Sequence, residues 1–128
     1  DGNQTDVTLQ EVEDVFAPVK AELAALRKSR ARIVRAAAKA VETERVKPET
    51  IAAAESDLAA ARVATQLAEA TVEKFWFVSE SANERWQGLA DKFADVEMDI
   101  EEAIADMRTV DDEMRQAAAG FAAEKDDD

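Results

Sequence analysis

Five carboxylates, Asp91, Asp95, Asp99, Glu102 and Asp106, recur at intervals of three or four residues, which on a helix places them along one face. Such a ridge could collect calcium or magnesium through its oxygens, or pair two carboxyls for acid–base work. A calcium site draws its ligands from a looped backbone and an acid–base pair needs a cleft, neither of which a straight helix supplies, so the ridge reads as a solvated face. The chain contains no Cys and no His. Their absence removes disulfides, thiolate metal sites, the usual zinc-binding imidazole, the commonest general base near neutral pH and the Glu-x-x-His pairs of helical di-iron sites. No cofactor, metal or catalytic residue is assigned, and a non-enzymatic role is expected.

The one concentration of positive charge is Arg27, Lys28, Arg30, Arg32, Arg35 and Lys39, with no acidic residue between Leu23 and Val41. It could meet phosphate or an anionic lipid surface. No aromatic residue interleaves it to stack on bases, and 29 carboxylates against 16 basic residues give a formal charge of -13, a field that repels polyanions. Free nucleic acid is not an expected partner. The patch is expected instead to face residues 91–113, which carry ten carboxylates against Lys92 and Arg108. Phe75, Trp76 and Phe77 are consecutive, so one helix cannot bury all three on one face. Either one of them projects towards a partner or a third helix covers it.

The elements that must position these groups are helices. Ala, Glu, Leu, Lys and Arg dominate, and the three Gly and two Pro fall as punctuation, the composition of a long-helix protein. A single helical domain is expected. No apolar run approaches the length of a membrane span, and none is assigned. The chain opens at Asp1 without Met or the basic-then-apolar pattern of a signal peptide, as expected where a leader has been removed or the chain trimmed.

Thr8 followed by Glu11 is a capping box and predicts a helix start. From there Val12, Phe16, Val19, Leu23, Leu26, Ile33, Ala37 and Ala40 form a heptad seam, with Arg30 in register as its polar step. The predicted helix covers about 8–46, kinked or divided at Pro18. Pro48 and Glu49 predict a turn at 46–49 and a new helix from 48. A second seam then runs through Ile51, Ala54, Leu58, Ala61, Thr65, Ala68, Val72 and Phe75. It continues through Ser79, Ala82, Trp86, Leu89, Phe93, Val96, Ile100, Ala103, Met107, Val110, Met114, Ala117 and Phe121.

Unbroken, that register is one helix from about 48 to 121, roughly 105 Å long. Broken within 79–88, where Ser79, Ser81, Asn83 and Gly88 concentrate poor helix formers, it gives helices over about 48–82 and 89–123 folded antiparallel. The residues 124–128 then form an acidic tail. The fold class is all-α, either a helical hairpin or three-helix coiled-coil bundle, or the long helix with an N-terminal one. The first arm's seam is mostly Ala and the second's is large (Trp86, Phe93, Ile100, Met107, Met114, Phe121), and such complementary faces favour the hairpin.

The segment Arg85-Trp86-Gln87-Gly88-Leu89-Ala90-Asp91-Lys92-Phe93 resembles the Trp-x-Gly turn of the small helical-hairpin proteins of type VII secretion. The resemblance covers about 48–128, with arm lengths close to the family's, and Ala90 and Phe93 stand where it places small and aromatic residues. It implies a bend at Gly88, plugged by Trp86. The family's export signal, Tyr followed four residues later by an acid, is not matched: Phe121 is followed by Glu124 and Asp126. The helix before Pro48 has no counterpart in the minimal family.

The function expected on this basis is that of a non-enzymatic helical partner protein, resembling a type VII substrate or co-secreted partner, whose apolar seam pairs with another helical chain of its own or a different kind. An oligomer is expected. A second reading is a structural assembly component, a virion, scaffold or filament subunit, in which the seam is buried against neighbours. A third is a cytosolic regulator whose basic patch meets a phosphorylated or nucleic-acid partner. The chain is secreted under the first reading and otherwise cytoplasmic or within an assembly.

Overall fold

A computed structural model describes residues 9–73 and 80–126. Among them are three helices, α1 (Leu9–Thr43), α2 (Pro48–Glu73) and α3 (Glu80–Asp126), and no strand. The fold is all-α. Each helix packs on both others, and the cross-helix ion pairs give the order. Arg30 meets Asp99, and Arg85 meets Glu13, so α1 and α3 run parallel. Arg62 meets Glu101 and Arg108 meets Glu55, so α2 runs antiparallel to α3. The result is an up-down-up bundle, and the single helix from 48 to 121 is excluded.

The seams form the core. Phe16, Val19, Leu23, Leu26, Ile33, Ala37 and Ala40 of α1 are buried, as are Ile51, Ala54, Leu58, Ala61, Ala68 and Val72 of α2. From α3 come Trp86, Leu89, Phe93, Val96, Ile100, Ala103, Met107 and Val110. The small residues of α2 face the large ones of α3. Two members stand outside the heptad reading. Ile104 is buried beside the main α3 stripe, and Val46 is buried from the connection between α1 and α2. The side chains of Val12 and Ala82, and the whole of Phe75 and Ser79, lie outside the described residues.

Four boundaries differ from expectation. α1 passes through Pro18 as one helix: burial on both sides of it, at Phe16 and Val19, outweighs the lost hydrogen bond and ring clash that disfavour proline inside a helix. α1 ends at Thr43 rather than near 46. Glu44 takes a left-handed φ of 57°, and the Arg45 amide reaches back to the Ala40 carbonyl at 3.2 Å, the long back-bond of a Schellman cap. The Thr50 amide donates to the Lys47 carbonyl at 3.0 Å, which leaves Pro48 in the first helical position, where its missing amide costs nothing.

The third difference is the break in the second seam. Residues 80–88, including Gly88, belong to α3, and the connection from α2 lies within 74–79, outside the described residues. The fourth is the C-terminus, where α3 continues to Asp126 through Ala-rich sequence of high helix propensity.

Glu44 holds a backbone conformation that costs a residue with a Cβ roughly 1 kcal/mol. Glu44→Gly is therefore expected to raise stability by about 0.5–1 kcal/mol, read as a higher denaturant midpoint at unchanged slope.

Candidate functional site

α3 carries the turn motif, the large seam residues and the carboxylate ridge, and α1 carries the basic patch. At its N-terminal end Trp86 is buried, in the same core cluster as Phe16. Beside it the Arg85 guanidinium lies 5.5 Å from the centre of the Phe16 ring and donates to Glu13 Oε1 at 2.5 Å. Lys20 approaches Glu13 at 3.8 Å. The hydrogen bond from Arg85 holds the Glu13 carboxyl below its ordinary range, helped by the charges of Arg85 and Lys20. A lowered carboxylate pKa contributes stability above the ordinary carboxylate range and loses it as pH falls through the lowered value. Arg85 therefore ties α3 to α1. Sequence reasoning treated it only as a flank of Trp86, and its one usable signal was its position beside a seam aromatic.

Gly88 is not a turn residue. It is exposed on α3, its φ is not positive, and a Cβ added there would meet nothing within 4 Å. The reason is packing: Trp86, Leu89 and Phe93 share one buried face only if the backbone stays helical across Gly88. Gly88→Ala is expected to stabilise the fold by about 0.5–1 kcal/mol, measured as a melting temperature a few degrees higher. A drop in that temperature would restore the turn role.

The six large residues expected to meet a partner divide into two groups. Trp86, Phe93, Ile100 and Met107 are 4%, 1%, 0% and 0% exposed, and so belong to the chain's own core. Met114 and Phe121, the next two on the same stripe, are 37% and 69% exposed. The division follows from helix lengths. The Val46 amide points at Met114 Sδ, 3.4 Å away, which fixes the α1–α2 turn at the level of Met114. Beyond it α3 runs on for twelve residues, about 18 Å, with neither α1 nor α2 beside it. We refer to this part as the overhang.

The basic patch is divided as well. Arg30 pairs with Asp99 of α3 at 3.3 Å, as expected, but Arg32 pairs with Asp57 of α2. Arg35 donates through Nε to the Ala31 carbonyl of its own helix. Arg27, Lys28 and Lys39 are exposed and make no ion pair among the described residues. On α3 the carboxylates of Asp91, Asp95, Asp99, Glu102 and Asp106 all face solvent. Among the described residues no three acidic groups converge on a point that could hold a metal, and no helix is long and apolar enough to cross a membrane.

Between α1 and α3, on the side away from α2, lies an open groove of about 530 Å³ with Arg30 at one end. Its floor and walls are Ala31, Val34 and Ala38 of α1 and Glu102, Ala103 and Asp106 of α3. Val34 is 43% exposed, and Val41, seven residues further along the same stripe, is 54% exposed. A groove with an alanine floor admits another helix at close range. The Phe75, Trp76 and Phe77 cluster lies outside the described residues.

In comparisons with protein families, curated proteins and solved structures, nothing matches this chain.

Proposed function

We propose that the chain is a non-enzymatic helical interaction protein that pairs with another helical chain through the overhang of α3. What supports the reading is the fate of one stripe. Ile100 and Met107 are sealed in the bundle, whereas Met114 and Phe121, in the same register, face solvent past its end. An apolar stripe continued beyond its own partners is the kind of face that a helix of another chain covers. The type VII version of the reading, a substrate or co-secreted partner, rests on the Trp86-Gln87-Gly88 motif and on α2 and α3 forming an antiparallel hairpin, but the bend that the resemblance implies at Gly88 is not there, since Gly88 lies within α3. The assembly-subunit version rests on the same overhang, with identical neighbours as the covering chains.

A photo-crosslinking amino acid at position 121, introduced in the source cell, tests the proposal. One discrete adduct with a helical protein is expected, absent when the crosslinker stands at Leu67, an exposed residue of α2. Recovery of the chain itself favours the assembly version and recovery of a second protein the co-secreted version. No adduct at 121, or equal adducts at both positions, removes the reading.

A further inference from the structure

We infer that the groove between α1 and α3 is a self-association surface, and that its occupant is the same groove of a second copy of this chain. The inference concerns a different face from the overhang and does not rest on the reading above. α1 also lies outside the span of the Trp-x-Gly resemblance.

The argument starts from the two rims. On α1, helical spacing places Arg27 in the exposed stripe of Ala31, Val34, Ala38 and Val41, with Lys28 and Arg35 along its outer edge, whereas Lys39 shares the stripe of Arg32 on the α2 side. Arg27 and Lys28 have no ion pair among the described residues, and the bond that Arg35 makes is to its own helix. On α3, Asp95, Asp99, Glu102, Asp106 and Glu113 follow at three-, four- and seven-residue steps along the groove side. Of these, Asp99 alone is engaged by a cation among the described residues. The apolar groove is thus bordered outside its α1 wall by the spare cations Arg27, Lys28 and Arg35, and on its α3 wall by the spare carboxylates Glu102 and Asp106.

A two-fold axis parallel to the helices sets α1 of each copy against α3 of the other. The Arg30–Asp99 pair places α1 and α3 in register, so that Val34 is level with Ala103. Arg35 then lies beside the partner's Glu102 and the partner's Asp106, and Arg27 and Lys28 beside the partner's Asp95 and the partner's Asp99. The perpendicular axis would oppose the two acidic ridges, which like-charge repulsion disfavours. The four central helices become a four-helix layer in which Val34 and Val41 leave solvent. The face is about 25 Å long and two helices wide, the low end for a specific interface. The formal charge of -13 on each copy also opposes association at long range, so the dimer should be a weak one.

Sedimentation equilibrium of the whole chain from about 1 to 300 µM should give a monomer–dimer curve in the micromolar range. Val34→Glu, at a solvent-facing position of the monomer, should weaken the dimer at least tenfold while leaving the melting temperature of dilute samples unchanged. The double charge reversal Glu102→Lys with Asp106→Lys should weaken it as much. Adding Arg35→Glu to that variant should restore part of it. A monomer across the whole range overturns the proposal, as does a dimer indifferent to these changes. If the dimer persists in them but is lost in Met114→Glu with Phe121→Glu, the overhang is the contact; this proposal then falls while the proposed function stands.

Discussion

Ile100→Asp is expected to abolish the folded state. Ile100 is 0% exposed at the middle of α3, where α1 and α2 both cover the helix. Removing its side chain forfeits apolar burial and opens a cavity, together about 2–5 kcal/mol for a buried aliphatic residue. Placing a carboxylate there adds several kcal/mol more, because there is neither water nor a buried cation to replace its hydration: no buried residue among those described is polar or charged. The sum reaches the whole stability of a domain of this size, roughly 5–15 kcal/mol. Circular dichroism should show a melt without a cooperative transition at neutral pH. Burial raises the pKa of such an aspartate, so its cost is smallest in acid and grows as pH rises through that raised value. Phe121→Asp, the same change in chemistry three heptads on, should melt with the native protein, since Phe121 is 69% exposed. If Ile100→Asp folds cooperatively at neutral pH, the three-helix packing is wrong.

That contrast also marks how far the sequence was legible. Heptad spacing identifies which residues share a stripe, and stripe after stripe, from Phe16 to Ala40, from Ile51 to Val72 and from Trp86 to Val110, proves to be core apart from the half-buried Arg30 and Thr65. The spacing carries no information about where partner helices end. Met114 and Phe121 look identical in pattern to Ile100 and Met107, and only the position of the α1–α2 turn, held by the contact of Val46 with Met114, separates them. Local propensity failed for a related reason. Pro18 and Gly88 are poor helix formers, but each sits between residues whose burial requires an unbroken helical register, and tertiary packing outweighs a local cost of about 1 kcal/mol for Gly and 3 for Pro. Glu44 shows the converse. Nothing in its residue type announces a left-handed conformation, which is imposed because α1 must turn sharply for Val46 to reach the core. Pairing across helices was legible only as a tendency: a basic stretch and an acidic stretch were evident, but that Arg32 turns to Asp57 while Arg30 takes Asp99 depends on the rotation of α1 about its axis.

Trp86→Ala is expected to cost about 3–5 kcal/mol, a loss of the size expected for truncating a large buried aromatic. The indole is 4% exposed and lies where α1 begins and α3 begins, so fewer neighbouring turns are available there to collapse into the void than at the bundle's centre. Arg85, the residue beside it, reaches to Glu13 and over the Phe16 ring, and loosening at this end should release that link as well. Guanidinium unfolding should show a lower midpoint at an unchanged slope, the mark of a stability change without a change in the state being unfolded. The same measurement separates two roles for the tryptophan. If Trp86 acts through packing alone, pairing with another chain falls only in proportion to the unfolded fraction, and returns when Glu44→Gly and Gly88→Ala restore part of the lost stability. If Trp86 shapes a docking turn, pairing stays lost in the restabilised variant. The burial of the indole and the helical backbone at Gly88 favour the packing result, in which case the pairing proposed above falls to Met114 and Phe121 at the opposite end of α3.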